Sequence, residues 1–138
     1  MPRVWSIAGL RLLRLANPFV RVVLESRAHS LLSGRLVLLA YRGRRSGRPF
    51  RIPLRYAEME SGGLVAVAVR PERKQWWRAF SGANRATLRL RGAQIEARGL
   101  VVEGAARDAA IGAYLVRYPR SGRITRDAAV VVFKPGNG

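Results

Sequence analysis

Leu36-Val37-Leu38-Leu39-Ala40-Tyr41-Arg42-Gly43-Arg44-Arg45-Ser46-Gly47-Arg48-Pro49-Phe50-Arg51-Ile52-Pro53-Leu54-Arg55-Tyr56 holds two strands and the loop between them. Leu36 to Tyr41 is apolar without interruption, as expected of a strand covered on both faces. From Phe50 the pattern alternates. Phe50, Ile52, Leu54 and Tyr56 point one way, and Arg51, Pro53 and Arg55 the other. Pro53 has no N–H for a ladder, so the spacing predicts an edge or a bulge there.

Working outward, Ser61-Gly62-Gly63 reads as a turn and Leu64 to Val69 as a third strand. Pro71 to Lys74 form a charged loop, and Gln75 to Phe80 a short helix ended near Gly82. Thr87 to Arg91 and Gln94 to Val102 then make a hairpin. Taking Gly92-Ala93 as its two-residue loop predicts a type II′ turn, with Leu90 opposite Ile95 and Arg89 paired to Glu96. Gly104 to Tyr118 reads as a helix with Ile111, Tyr114, Leu115 and Tyr118 on one stripe, and Ala128 to Phe133 as the last strand. Upstream, Trp5 to Ala16 reads as a basic amphipathic helix carrying Ile7, Leu10 and Leu13 beside Arg11 and Arg14. Asn17-Pro18 opens a second helix running to about Leu32. Strand–helix alternation is absent. The expectation is an α+β chain: a basic N-terminal helix over residues 1–16, then one domain over 17–138, a small antiparallel barrel of about six strands with peripheral helices.

The chain has 138 residues, with 24 Arg, 2 Lys, 8 acids, one His and no Cys. Without cysteine there is no disulfide framework, thiolate nucleophile or Cys-based metal site. One His and few acids argue against metal hydrolases, Ser/His/Asp triads and paired-carboxylate glycosidases. Binding remains, or chemistry carried by a cofactor. The net charge of +18 calls for an anionic partner: nucleic acid, an acidic membrane surface, or a ligand rich in phosphate and carboxylate. A GC-rich genome also favours arginine over lysine, so charge selects a class of partner and no more. Arg11 and Arg14 interrupt the apolar run Leu10 to Ala16, which is too short and too charged to span a membrane. A soluble cytoplasmic protein is expected, its first helix suited to lying on the inner face of an anionic membrane.

Three clusters carry candidate chemistry. In Gly43-Arg44-Arg45-Ser46-Gly47-Arg48, two glycines offer backbone N–H groups, and a hydroxyl and guanidinium forks offer donors suited to phosphate. A solvated turn has the same composition, and the loop is no Walker A motif. In Lys74-Gln75-Trp76-Trp77-Arg78, adjacent indoles face different sides of a helix, so one packs while the other rims a pocket for a planar ligand. Tyr114 and Tyr118, one turn apart, serve either packing or hydrogen bonding to a substrate. The lone His29 sits one turn from Glu25 and reads as its surface partner.

The glycine–basic–basic–Ser–Gly loop with Arg48-Pro49 and Pro53-Leu54, then Trp76-Trp77-Arg78, then Leu88 to Gly92, resembles the deazaflavin-dependent nitroreductase and quinone reductase family. Asn17-Pro18 and Tyr118-Pro119 also match, and the resemblance covers roughly Asn17 to Pro135. It implies a split β-barrel of the flavin-binding kind that holds coenzyme F-420, with FMN as second choice. Hydride would pass to a quinone, a nitro compound or a similar acceptor. Carried over, Arg45 stands where the family has a lysine contacting the phosphate and glutamate tail, and Ser46 and Gly47 form that cradle. Lys74 and Trp76 border the deazaflavin ring, and Tyr118 lines the acceptor pocket. Arg44, Arg48, Arg51 and Trp77 complete the candidate cofactor set, with Tyr114 and Trp77 as further acceptor-pocket candidates. The family has Arg where this chain has Phe50, and strand alternation sends Arg51 to the opposite face. Arg120-Ser121-Gly122-Arg123-Ile124 likewise replaces a stretch bearing further tyrosines.

These two departures favour, as the alternative to an oxidoreductase, a non-catalytic carrier or a membrane-associated family member. A nucleic-acid-binding barrel using Arg85, Arg89, Arg91 and Arg98 ranks last, because no readout motif accompanies the charge. Related barrels often dimerise, so a homodimer is a further expectation.

Overall fold

The computed structural model describes residues 35–90 and 92–136. The two helices expected upstream, the expected Glu25–His29 pairing and Arg91 lie outside them. Strand β1 (Leu36–Arg42) pairs antiparallel with β2 (Pro49–Arg55) on one side and β5 (Asn84–Leu90) on the other. Its side chains Val37 to Ala40 are buried whichever face they take, as the unbroken apolar run predicts. With β3 (Ala57–Glu58), β4 (Leu64–Ala68), β6 (Ala93–Val101) and β7 (Ala129–Pro135), the described residues form one antiparallel sheet in the order β2-β1-β5-β6-β7-β4-β3. β2 ends that order, which is where a strand holding Pro49 and Pro53 can stand without breaking a ladder. The sheet curls into an α+β split-barrel-like fold, and the two-residue β3 is the one strand that the pattern of the sequence does not foreshadow.

The curled face encloses Val37, Leu39, Leu88, Val131, Phe80 and Phe133, all nearly inaccessible to solvent. The Phe80 and Phe133 rings meet edge to face with centroids 5.1 Å apart, an arrangement contributing about 0.5–1.5 kcal/mol beyond burial. Gly99 makes that contact possible. A β-carbon there would lie 2.6 Å from the Phe80 ring and 2.7 Å from that of Phe133. On the outer face, helix α1 (Gly104–Arg117) lays Ala110 and Tyr114 over Ala57, Val65, Val130 and Val132, and Tyr118 follows at its end. The short helix α2 (Gly122–Thr125) returns the chain to β7. Arg107 fastens that return by donating to the carbonyls of Thr125, Arg126 and Ala128 at 3.1, 3.0 and 2.9 Å.

One register differs from expectation. Leu90 pairs with Ala93, Leu88 with Ile95 and Thr87 with Glu96, so the β5–β6 ladder is displaced by two residues. Gly92, at φ +83, stands second in the connection and not first. The Arg89–Glu96 pair is thereby replaced. Arg89 faces Gln94, and the Thr87 hydroxyl donates to the Glu96 carboxylate at 3.2 Å. A slip of two leaves every side chain on its original face, so the core assignment is untouched. The segment expected as a helix at Gln75 to Phe80 is a 3-10 turn over Trp76–Phe80. No helix among the described residues is long and apolar enough to cross a membrane, and no group of three or more His, Asp or Glu is placed to hold a metal ion.

Candidate functional site

The β1–β2 loop folds on itself. Gly43 N–H donates to the Arg48 carbonyl and Gly47 N–H to the Gly43 carbonyl, both at 2.9 Å. Ser46 Oγ accepts from Arg48 N–H at 3.1 Å, and Arg42 Nη1 donates to the Gly47 carbonyl at 2.9 Å. The glycine N–H groups expected to cradle a phosphate are therefore spent inside the loop, and the side chains of Arg44, Arg45 and Ser46 remain as its outward donors. Gly43 has no room for a side chain, because a β-carbon would sit 2.9 Å from Ser46 Oγ and 3.3 Å from the Phe50 ring.

Across from this loop runs the segment Lys74 to Ser81, and between the two lies a groove of about 1240 Å³. Side-chain hydrogen bonds to backbone carbonyls hold the segment. The Lys74 ammonium donates to the Val69 carbonyl, Trp77 Nε1 to the Pro71 carbonyl at 2.8 Å, and Ser81 Oγ to the Arg78 carbonyl at 2.9 Å. Two of the three Lys74 protons are left for other partners. Trp76 is buried against Phe80, whereas Trp77 is half-buried, with the Arg78 guanidinium 5.5 Å from its ring centroid. Both indoles line the groove. Facing them, Phe50 is 36% exposed and stacks on Tyr41 with centroids 5.4 Å apart and planes 21° apart.

Among the described residues lining the groove, Arg44, Arg45, Lys74 and Arg78 are cationic and none is acidic. Arg44 reaches across to the far wall: a β-carbon on Gly82 would lie 2.8 Å from its Nη1. Tyr41 was hidden from sequence reasoning inside an apolar run. It lines the groove, and burial pushes its phenol up to about 12, so it keeps its proton throughout the neutral range. Its position beside the Gly-Arg-Arg loop, as the last apolar residue of the run, was the available signal.

Not every candidate joins this groove. Gly47 and Arg48 shape the loop through their backbone. Arg51 is 6% exposed and stands opposite Ala40, which in turn faces Thr87. That row lies on the outer face of the sheet, away from groove-lining Phe50 and Ile52, as the alternation of β2 demands. Tyr114 and Tyr118 are likewise elsewhere, in the cluster under α1, with centroids 4.8 Å apart. The Tyr118 hydroxyl donates to the Tyr56 carbonyl at 2.6 Å, and its ring lies 5.0 Å from the Arg55 guanidinium and 5.3 Å from that of Arg117. Burial raises both phenol pKa values, with Arg55 partly offsetting the rise at Tyr114 and Arg117 at Tyr118. This pair ties the end of α1 to the β2–β3 corner, so the two acceptor-pocket candidates stand apart from the groove that Trp77 lines.

No family model matches the chain, and no curated protein matches it. Solved structures do. The chain is similar to a protein of unknown function from Agrobacterium tumefaciens, at 16% identity and a TM-score of 0.61 over 83% of this chain; it spans 57% of that protein. An F420-H2 dependent reductase matches at 20% identity and a TM-score of 0.57 over 72% of this chain and 94% of its own. A heme binding protein from Mycobacterium smegmatis matches at 18% identity and a TM-score of 0.54, over 71% of this chain and 45% of its own. At these identities the likeness establishes a shared split-barrel-like architecture.

Proposed function

We propose that the groove binds an elongated anionic cofactor of the deazaflavin or flavin class, coenzyme F-420 before FMN. On this reading the chain is an oxidoreductase that passes hydride to a quinone, nitro or similar small acceptor. The observation that carries this is the lining of the groove: among the described residues, four cations and no carboxylate, between a Phe50–Tyr41 stack and two indoles. That donor set suits a planar ring joined to a phosphate- and carboxylate-bearing tail. Arg44, Arg45 and Ser46 would hold the tail by charge-assisted hydrogen bonds, each contributing about 1.5–3 kcal/mol. Trp76 and Trp77 would bound the ring, with Phe50 as the opposing flat surface. A bound deazaflavin supplies the hydride; the protein's part is to position the ring, exclude water and meet the charge. Such a task needs no nucleophile, metal or strong base, in keeping with a chain that has one histidine and no cysteine.

Fluorescence titration with F-420, FMN and hemin tests the reading. Micromolar binding of F-420, weakened as salt rises, with reduction of menadione by the reduced cofactor, is the expected result. Binding without turnover would make the chain a carrier. Failure of both F-420 and FMN at micromolar protein would remove the proposal, and mass spectrometry of any copurifying small molecule provides an independent readout.

A further inference from the structure

At three of the described glycines an added β-carbon would come closer than 3.0 Å to another atom. At Gly99 two core rings fill the space, and at Gly43 the Ser46 hydroxyl does. At Gly82 a cation fills it. The three atoms nearest to where the β-carbon would sit all belong to Arg44: Nη1 at 2.8 Å, Nη2 at 3.2 Å and Cζ at 3.3 Å. The backbone of Gly82 lies outside the left-handed region, so the chain path there does not itself call for glycine. What the missing side chain provides is a seat for one guanidinium.

That seat sits at the edge of the groove. Gly82 follows Ser81, which lines the far wall, while Arg44 starts from the β1–β2 loop. Asn84 Nδ2 donates to the Arg42 carbonyl at 3.1 Å and so holds the chain after Gly82 beside the base of that loop. Arg42 spends a nitrogen on the Gly47 carbonyl, and Arg107 spends one on three carbonyls. Arg44 donates to no carbonyl or carboxylate among the described residues, so its five N–H groups are held in place with their bonding capacity intact.

We infer that Gly82 is a positioning residue for the anion end of the groove: having no side chain, it lets the Arg44 guanidinium lie across the gap and meet a ligand's phosphate or carboxylate from the wall opposite Arg45 and Ser46. The inference rests on the reading of the groove as an anion site, though not on which cofactor brings the anion. A methyl group at 82 would push the guanidinium back to an ordinary contact of about 3.5 Å or more, and only the far end of a flexible side chain has to move. The test is a double-mutant cycle on the full chain, Gly82→Ala with Arg44→Gln, read by calorimetric titration with F-420, FMN and inorganic pyrophosphate. Arg44→Gln should weaken binding about tenfold and Gly82→Ala about fivefold, and adding Gly82→Ala to Arg44→Gln should change affinity less than about twofold. The urea midpoint of Gly82→Ala should equal or exceed that of the parent chain, because alanine restricts the unfolded state. Losses that add in the double variant, or a fall in urea midpoint alongside affinity, would make Gly82 a merely structural residue and overturn the inference. F-420 binding that ignores Gly82→Ala would overturn it and leave the cofactor reading standing. Failure of F-420 and FMN, with the same coupling seen for pyrophosphate, would remove the cofactor and keep Gly82 in its role. Failure of all three ligands would remove both.

Discussion

Arginines and aromatic rings meet at two places in this molecule, with opposite outcomes. Under α1, Tyr118 is closed off by the Tyr56 carbonyl at 2.6 Å and flanked by the guanidinium groups of Arg55 and Arg117. Close by, Arg107 spends one nitrogen on three carbonyls. In the groove, Tyr41, Phe50 and Trp77 keep part of their surface in contact with solvent, and Arg44 and Arg45 are exposed. The residue types are the same. What separates a structural joint from a binding surface is whether backbone carbonyls converge on the donors. At the end of α1 they do, because a helix end and a strand corner both bring acceptors needing partners. At the β1–β2 loop the carbonyls of Gly43, Gly47 and Arg48 are taken by the loop's own N–H groups and by Arg42, so the remaining cations face outward.

The largest effect that should follow from this contrast is electrostatic. Reversing two charges in Arg44→Glu/Arg45→Glu removes two charge-assisted contacts of about 1.5–3 kcal/mol each, so F-420 affinity should fall at least about 100-fold by titration. Stability in urea should stay within about 0.5 kcal/mol, as for exposed positions generally. An equal loss of stability and affinity would mean that the loop is a structural joint after all. Gly99→Ala is the converse case, a core change expected to reach the groove. Its β-carbon drives into Phe80 and Phe133, at a cost of about 1–3 kcal/mol, and Phe80 closes the turn that carries Trp76 and Trp77. Urea unfolding should show the loss. Affinity should fall too, by less than in the double charge reversal.

How much of this was legible beforehand follows the same division. Periodicity exposed β1 as two-sided and β2 as alternating, and the pair Trp76-Trp77 divides into one buried and one half-buried indole, as adjacent residues on a turn must. The hairpin register slipped by two because its turn was read with the glycine first, and a period-two pattern cannot detect a slip of two. β3 was invisible because two residues carry no periodicity. Gly99 did leave a trace: glycine inside a strand marks close approach, and here two phenyl rings occupy the space. Tyr41 and Tyr118 show the limit. Both are tyrosines at the end of an element, and only the fold decides that one meets a carbonyl and the other a cavity.

Tyr118→Phe probes the closed joint with a smaller effect. The Tyr56 carbonyl loses its donor, which should cost about 1 kcal/mol in urea unfolding and leave F-420 affinity unchanged. An affinity loss without a stability loss would instead place Tyr118 in the acceptor pocket.

The smallest effect lies at alkaline pH, where the two environments can be told apart within one titration. Tyr41 is raised by burial to about 12, above the value near 10 that it would have unfolded. Its contribution to stability is therefore complete below pH 10 and is lost as pH climbs from 10 to 12, because the unfolded chain releases the proton first. Tyr114 and Tyr118 are raised in the same direction, so all three weaken the fold at high pH. Tyr41→Phe should flatten the fall in urea midpoint above pH 10 without abolishing it. A bound anionic cofactor separates the sites further: its negative charge should push the Tyr41 phenol higher still while Tyr114 and Tyr118, under α1, titrate as before. Phenolate absorbance followed with and without F-420 should show one tyrosine moving upward. If ligand moved none, the phenol would not face the occupied groove, and the open half of the contrast would lose its floor.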